Sequence, residues 1–119
     1  MSGPGEKAVA VVKAYDFVLW LVPKVEKFPR SHRFTIGDRL IEAALDWLLL
    51  LVEASYASRG KADLLRAADR RATSMRWLLR LSKDLQLMSV ASYGFAAERV
   101  DEVGRMIGGW LKSTPESRP

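Results

Sequence analysis

The chain contains no cysteine and a single histidine, His32. The missing cysteine excludes disulfides, thiolate catalysis and cysteine-ligated metals. It fits a reducing compartment, so a cytoplasmic protein is expected. His32 stands in a basic loop beside Arg30 and Arg33, with no second histidine or cysteine to complete a metal site. No metal and no cofactor are therefore expected. Long apolar runs are missing too. The stretch Trp47 to Val52 is six residues, flanked by Asp46 and Glu53, whereas a membrane span needs about 20. No membrane partner is expected. The opening residues MSGPGEK lead into an amphipathic stretch, not into the apolar core of a signal peptide. No alternation of period 2 marks a strand, no strong internal repeat is present, and no glycine-rich phosphate loop appears.

The 119 residues, 49% of them hydrophobic, suffice for one domain with a modest core. That domain spans 1–119, with an ordered core over about 6–112 and a polar, frayed tail over 113–119. Four segments have helical periodicity. The first runs from about Glu6 to Phe28 on the stripe Val11, Ala14, Val18, Leu21, Val22 and Val25. Pro23 should kink it and Pro29 should close it. Thr35-x-x-Asp38 resembles a capping box for a second helix reaching about Ala57, with Gly60 as a left-handed stop. The third helix spans about Lys61 to Leu85. Ser89 or Ser92 caps a fourth, which runs to about Lys112 on Phe95, Ala96, Val100, Val103, Ile107 and Leu111. Three short connections between four long helices give an all-α, antiparallel up-down-up-down four-helix bundle. Gly104 and Gly108-Gly109 inside the fourth helix are expected to allow close helix approach.

Charge is concentrated in one place. Arg59 to Lys83 carries eight basic and two acidic residues, a local +6 in a chain whose net charge is +5 and whose pI is near 9.8. At about 100° per residue, Arg59, Arg66, Arg70, Arg76, Arg80 and Lys83 fall within roughly 140° of the helix wheel. An ordinary solvated face mixes signs, whereas Arg66–Arg70 and Arg76–Arg80 are like-charge pairs at i, i+4. An external polyanion, nucleic acid first, would relieve them. Arg30 and Arg33 between Phe28 and Phe34 form a second, weaker patch. No base-reading motif is present, so salt-sensitive, sequence-tolerant phosphate contact is expected. Trp77 on the basic face is placed either to stack on a base or to be buried at a subunit contact.

Catalysis has little support. Asp38, Glu42 and Asp46 recur at i, i+4, i+8 and make a solvated row that can pair with Arg39. No catalytic residue is assigned and the chain is expected not to be an enzyme. The second helix, however, is apolar over roughly 220° of its wheel, when facing one core needs little over 100°. A homo-oligomer follows, with Leu40, Trp47 and Leu50 at the edge of the contact and Trp77 a further candidate.

The order and spacing of several segments resemble the Avd family, the accessory variability determinants of diversity-generating retroelements. They are Tyr15-Asp16 to Leu19-Trp20, Pro23 to Ser31, Phe34 to Arg39, and Asp101 to Lys112. The resemblance covers about Tyr15 to Lys112. It implies a four-helix protomer, five of which form a basic barrel. It also implies binding to RNA or DNA and to the element's reverse transcriptase, in support of mutagenic cDNA synthesis and retrohoming. The polymerase chemistry would belong to the partner. A sister family encoded in intervening sequences of 23S ribosomal RNA genes offers an alternative. In it the fold serves a structural or RNA-associated role with no reverse transcriptase.

Overall fold

Apolar residues recur three and four apart along four segments, and each segment buries that stripe against its neighbours. The computed structural model describes residues 4–115. It contains α1 (Pro4–Glu26), a single turn α2 (Arg30–His32), a π-helical turn (Arg33–Gly37), α3 (Asp38–Tyr56), α4 (Lys61–Asp84) and α5 (Val90–Lys112). No strand occurs among the described residues. Helix α1 packs beside α3 and α5, and α4 beside the same two. The four long helices thus close a ring, each touching two neighbours. Short connections alternate their directions, giving the expected antiparallel bundle, 45 Å long and 22 Å across.

The α3–α4 pair is the most extensive contact. Small residues permit it: Ala43, Ala44, Ala54, Ala68 and Ala72 are all buried, so the two backbones approach closely. Trp47 fills the centre, edge-on to Phe17 with ring centroids 5.8 Å apart and planes at 87°. Leu21, Leu40, Leu51, Leu65, Met75, Leu79, Val100 and Ile107 complete the core.

The connections show where local chemistry decides. Pro23 lies within a continuous α1. Its missing N–H leaves the Leu19 carbonyl without a helical partner, but Leu19 and Pro23 are both on the exposed side, where water can serve. Thr35 does not cap α3. Its hydroxyl donates to the His32 carbonyl at 3.3 Å, because the π-helical turn runs straight into α3 and leaves no cap position there. Gly37 is buried in that turn, and a Cβ on it would come within 2.9 Å of Val25 Cγ1. Helix α3 ends instead at the extended Ala57. Gly60 is left-handed as expected (φ 73°), but it opens α4 rather than closing α3: its carbonyl accepts from the Leu64 amide at 3.1 Å.

Helix α4 ends in a Schellman motif built on Gln86, which is left-handed (φ 61°). The Leu87 amide donates to the Ser82 carbonyl at 2.8 Å and the Gln86 amide to the Lys83 carbonyl at 2.9 Å. Ser89 is the cap of α5, its Oγ accepting from the Ser92 amide at 3.0 Å. Beyond α5 the chain is not loose at once. Thr114 is buried and its hydroxyl donates to the Trp110 carbonyl at 2.9 Å. The rest of the expected tail, 116–119, lies outside the described residues.

Two substitutions should move stability in opposite directions. Gln86→Gly removes the Cβ penalty of the left-handed conformation and should stabilise the fold by about 1 kcal/mol. Gly37→Ala forces a methyl against Val25 and should destabilise it by about 1–3 kcal/mol. Urea unfolding followed by circular dichroism measures both.

Candidate nucleic-acid interface

Helix α4 positions the basic residues. Leu65, Ala68, Ala72, Met75 and Leu79 hold its inner side in the core, which turns Arg66, Arg70, Thr73, Trp77 and Arg80 outward. Cross-helix contacts fix the rotation. Arg71 reaches Asp46 of α3 at 3.5 Å, while Arg76 reaches Asp101 of α5 at 2.9 Å. The outer side between these flanks carries the arginines and leans toward α5. On α5 the corresponding outer side bears Arg105 and Lys112, both exposed. These two were not among the expected binding residues. Arg105 could have been found as the residue one turn beyond Asp101, on the side away from the buried Val100, Val103 and Ile107.

The expected residues divide into groups. Arg59, Arg70 and Arg30 are exposed and form no ion pair among the described residues. Arg66 pairs with Asp63 (3.4 Å), Arg80 with Asp84 (3.8 Å) and Lys83 with Asp84 (3.6 Å). The Lys83 ammonium also lies 4.6 Å from the centre of the Tyr93 ring. Arg76 is fixed by Asp101, and its guanidinium lies over Gly104, where a Cβ would come within 3.1 Å of Nη2. Arg33 is turned to structure. Its Nη1 donates to the Glu26 carbonyl at 3.2 Å, its guanidinium lies 5.0 Å from the Phe34 ring centre, and its Nε is buried without a partner. The second patch is therefore mainly Arg30.

The like-charge pairs inferred from sequence are thus partly neutralised by nearby acids. The neutralisation is weak. Arg76 and Asp101 expose 38% and 53% of their side chains, and Arg80 and Asp84 expose 59% and 56%. Such solvated pairs contribute about 0–1 kcal/mol, so a phosphate can exchange with the carboxylate at little cost. The guanidiniums of the face stay open to exchange, and Arg70, exposed and without an ion pair among the described residues, is the most available group.

The expected subunit-contact residues need correction. Leu40 and Trp47 are 0% exposed within the protomer and cannot meet another subunit. The half of α3 that carries them faces α1 and α4. Leu50 is half-buried on the α4 side, and Trp77 is open. The apolar surface that α3 does leave outside is different: Leu45 and Leu49, the latter 61% exposed. Because Asp46 points to α4, these residues stand outward and toward α1. Helix α1 turns Lys13 and Trp20 toward α5, through the Lys13–Glu102 ion pair and the Trp20–Phe95 contact. Its exposed Val12, Tyr15 and Leu19 are left on the side of α3. An apolar face over α1 and α3 is thus opposite the cationic face over α4 and α5.

The expected close approach of helix backbones at the α5 glycines is not found. A Cβ at Gly108 or Gly109 would meet nothing within 4 Å, and Gly104 accommodates the Arg76 side chain rather than a backbone. Among the described residues no group of three or more His, Asp or Glu could hold a metal ion, and no helix is long and apolar enough to cross a membrane.

A family model described as bAvd-like matches residues 8–114. Among solved structures, a crystal structure of a protein with unknown function from the S23 ribosomal protein family of Bacteroides thetaiotaomicron has a TM-score of 0.84. It shares 14% sequence identity and covers 91% of this chain and 99% of that chain. That likeness speaks for the fold. No curated protein matches.

If Asp101 competes with phosphate for Arg76, Asp101→Asn should tighten binding to a nucleic-acid probe at low salt. The same change should cost no more than about 1 kcal/mol of stability. Fluorescence anisotropy and urea unfolding of the same variant check the two halves of that expectation.

Proposed function

The chain belongs to the bAvd-like family, and from that premise we propose that it is a non-catalytic accessory protein of a diversity-generating retroelement. It binds RNA or DNA and the element's reverse transcriptase, and it supports mutagenic cDNA synthesis and retrohoming while the polymerase carries out the chemistry. The observation that supports this reading most is the separation of surfaces. A cationic face with Arg70 free and its neighbours only loosely paired lies on one side of the bundle. An apolar face of Val12, Tyr15, Leu19, Leu45 and Leu49 lies on the other.

The apolar face is the contact to a second copy. Burying one large apolar side chain is worth about 1.5–3 kcal/mol, so several of these residues suffice to drive association. A barrel of five copies needs two different surfaces per protomer, since a head-to-tail ring is not made by one face meeting itself. The α1–α3 face supplies one of them. That face does not itself cover α4 or the outer side of α5, where a polyanion can bind. The alternative role, an RNA-associated bundle encoded in a ribosomal RNA gene with no reverse transcriptase, shares these surfaces. Gene neighbourhood separates the two: a reverse transcriptase gene with near-identical repeats for the first, a ribosomal RNA gene for the second.

Two experiments test the proposal. Replacing Arg66, Arg70 and Arg80 together by Gln should weaken binding to unrelated sequences about equally. The slope of log affinity against log salt should flatten by about one for each phosphate no longer neutralised, and the fold should survive, because Gln is a good helix former. Separately, Leu19→Asp with Leu49→Asp should reduce the mass measured by light scattering to that of the 13.4 kDa protomer without loss of helicity. A wild-type protein that is already monomeric at micromolar concentration would contradict the assembly.

A further inference from the structure

Trp77 stands outside the core. Of the four tryptophans, Trp47 and Trp110 are buried, and Trp20 is partly covered by Phe17 and Phe95. Trp77 is 65% exposed. It stands on the outer side of α4 with cations on both sides along the helix and Leu81, also exposed, one turn ahead. Arg80 is one turn ahead, its guanidinium 5.7 Å from the ring centre, and Arg70 is two turns behind, about 10 Å away. Ser74, exposed, lies between Arg70 and Trp77.

We propose that this face takes single-stranded rather than duplex nucleic acid, with one base stacked on the Trp77 indole and the neighbouring phosphates on Arg70 and Arg80. The proposal rests on the nucleic-acid reading above and adds the strand class and the residue that selects it. The physical reason is the accessibility of the bases. In a duplex the flat face of every base is covered by its neighbours, so an exposed indole on a convex helix gains nothing from it. A single strand can splay a base onto the ring, and such stacking is sequence-tolerant. The flanking guanidiniums supply the phosphate contacts that hold the strand in place. A second copy of the chain is the poorer occupant. In a two-fold contact centred on Trp77, Arg66, Arg70 and Arg80 would face their own equivalents, and in a head-to-tail contact an apolar neighbouring face would cover Trp77 and the exposed Leu81 but would leave the guanidiniums of Arg70 and Arg80 without counter-charge.

The test uses the whole chain and three labelled probes: a 20-nucleotide RNA, a DNA of the same sequence, and the DNA annealed to its complement. Wild-type protein should bind both single strands more tightly than the duplex. Trp77→Ala should weaken single-strand binding by about tenfold and leave duplex binding nearly unchanged. Trp77→Phe should keep most of the single-strand affinity. Light scattering on Trp77→Ala should give the wild-type mass. Equal wild-type affinity for single strands and duplex, or an equal loss on both in Trp77→Ala, overturns the stacking role while leaving the nucleic-acid reading intact. A fall in mass for Trp77→Ala also overturns it and assigns the indole to a subunit contact. Absence of binding to all three probes by the wild-type protein defeats the nucleic-acid reading and this inference together.

Discussion

The closed ring of four helices governs everything else in this protein. Each long helix gives one stripe to a shared core, and that core is organised around Trp47, edge-on to Phe17. The alanines of α3 and α4 let the most extensive pair approach closely. Once the inner half of each helix is committed in this way, the outer half is free to vary. In this chain the outer halves are sorted by chemistry. The α1–α3 side is mainly apolar, the row Glu42, Asp46 and Glu53 on α3 is acidic, and α4 carries the cationic stripe, with Trp77 and Leu81 exposed among the arginines. A function based on surfaces needs only that sorting and a frame stiff enough to hold it.

The cationic face is a balance of weak interactions. Asp63, Asp84 and Asp101 answer most of the arginines that the helix wheel puts together. Those pairs are solvent-exposed. A buried ion pair would hold its guanidinium against an outside ligand, whereas an exposed one contributes so little that a phosphate replaces it. The acids therefore reduce self-repulsion along the stripe while leaving the guanidiniums open to exchange with an outside anion. Arg76 is the exception in degree. At 2.9 Å from Asp101, and laid across the open backbone at Gly104, it is the most firmly held of the stripe and joins α4 to α5.

Much of the fold was legible because it is written in short-range signals. The 3.6-residue periodicity marked all four long helices, Ser89 was identifiable as a cap, and Gly60 as a left-handed residue. The errors came from longer-range facts. The capping pattern at Thr35 was overridden by a π-helical turn that carries the chain into α3 without a break. The breadth of the apolar wheel of α3 correctly signalled surplus apolar surface. It could not say which residues were surplus, because that depends on which half α1 and α4 occupy, so Leu40 and Trp47 were placed outside when they are the centre. The ion pair between Arg76 and Asp101 spans 25 positions, beyond any i, i+4 accounting. The stripe on α4 was readable from spacing, but its partners on α5 were not.

The central claim is that one side of the bundle carries the nucleic acid while the opposite side carries the subunit contact. Ultraviolet crosslinking of a bound RNA to the assembled protein, followed by peptide mapping, tests it in one measurement. The account predicts crosslinked peptides from α4, within Arg59 to Lys83, with Trp77 among the modified residues and none from Val12 to Leu19 or Leu45 to Leu49. Crosslinks concentrated on α1 and α3, with α4 unmodified, would contradict it.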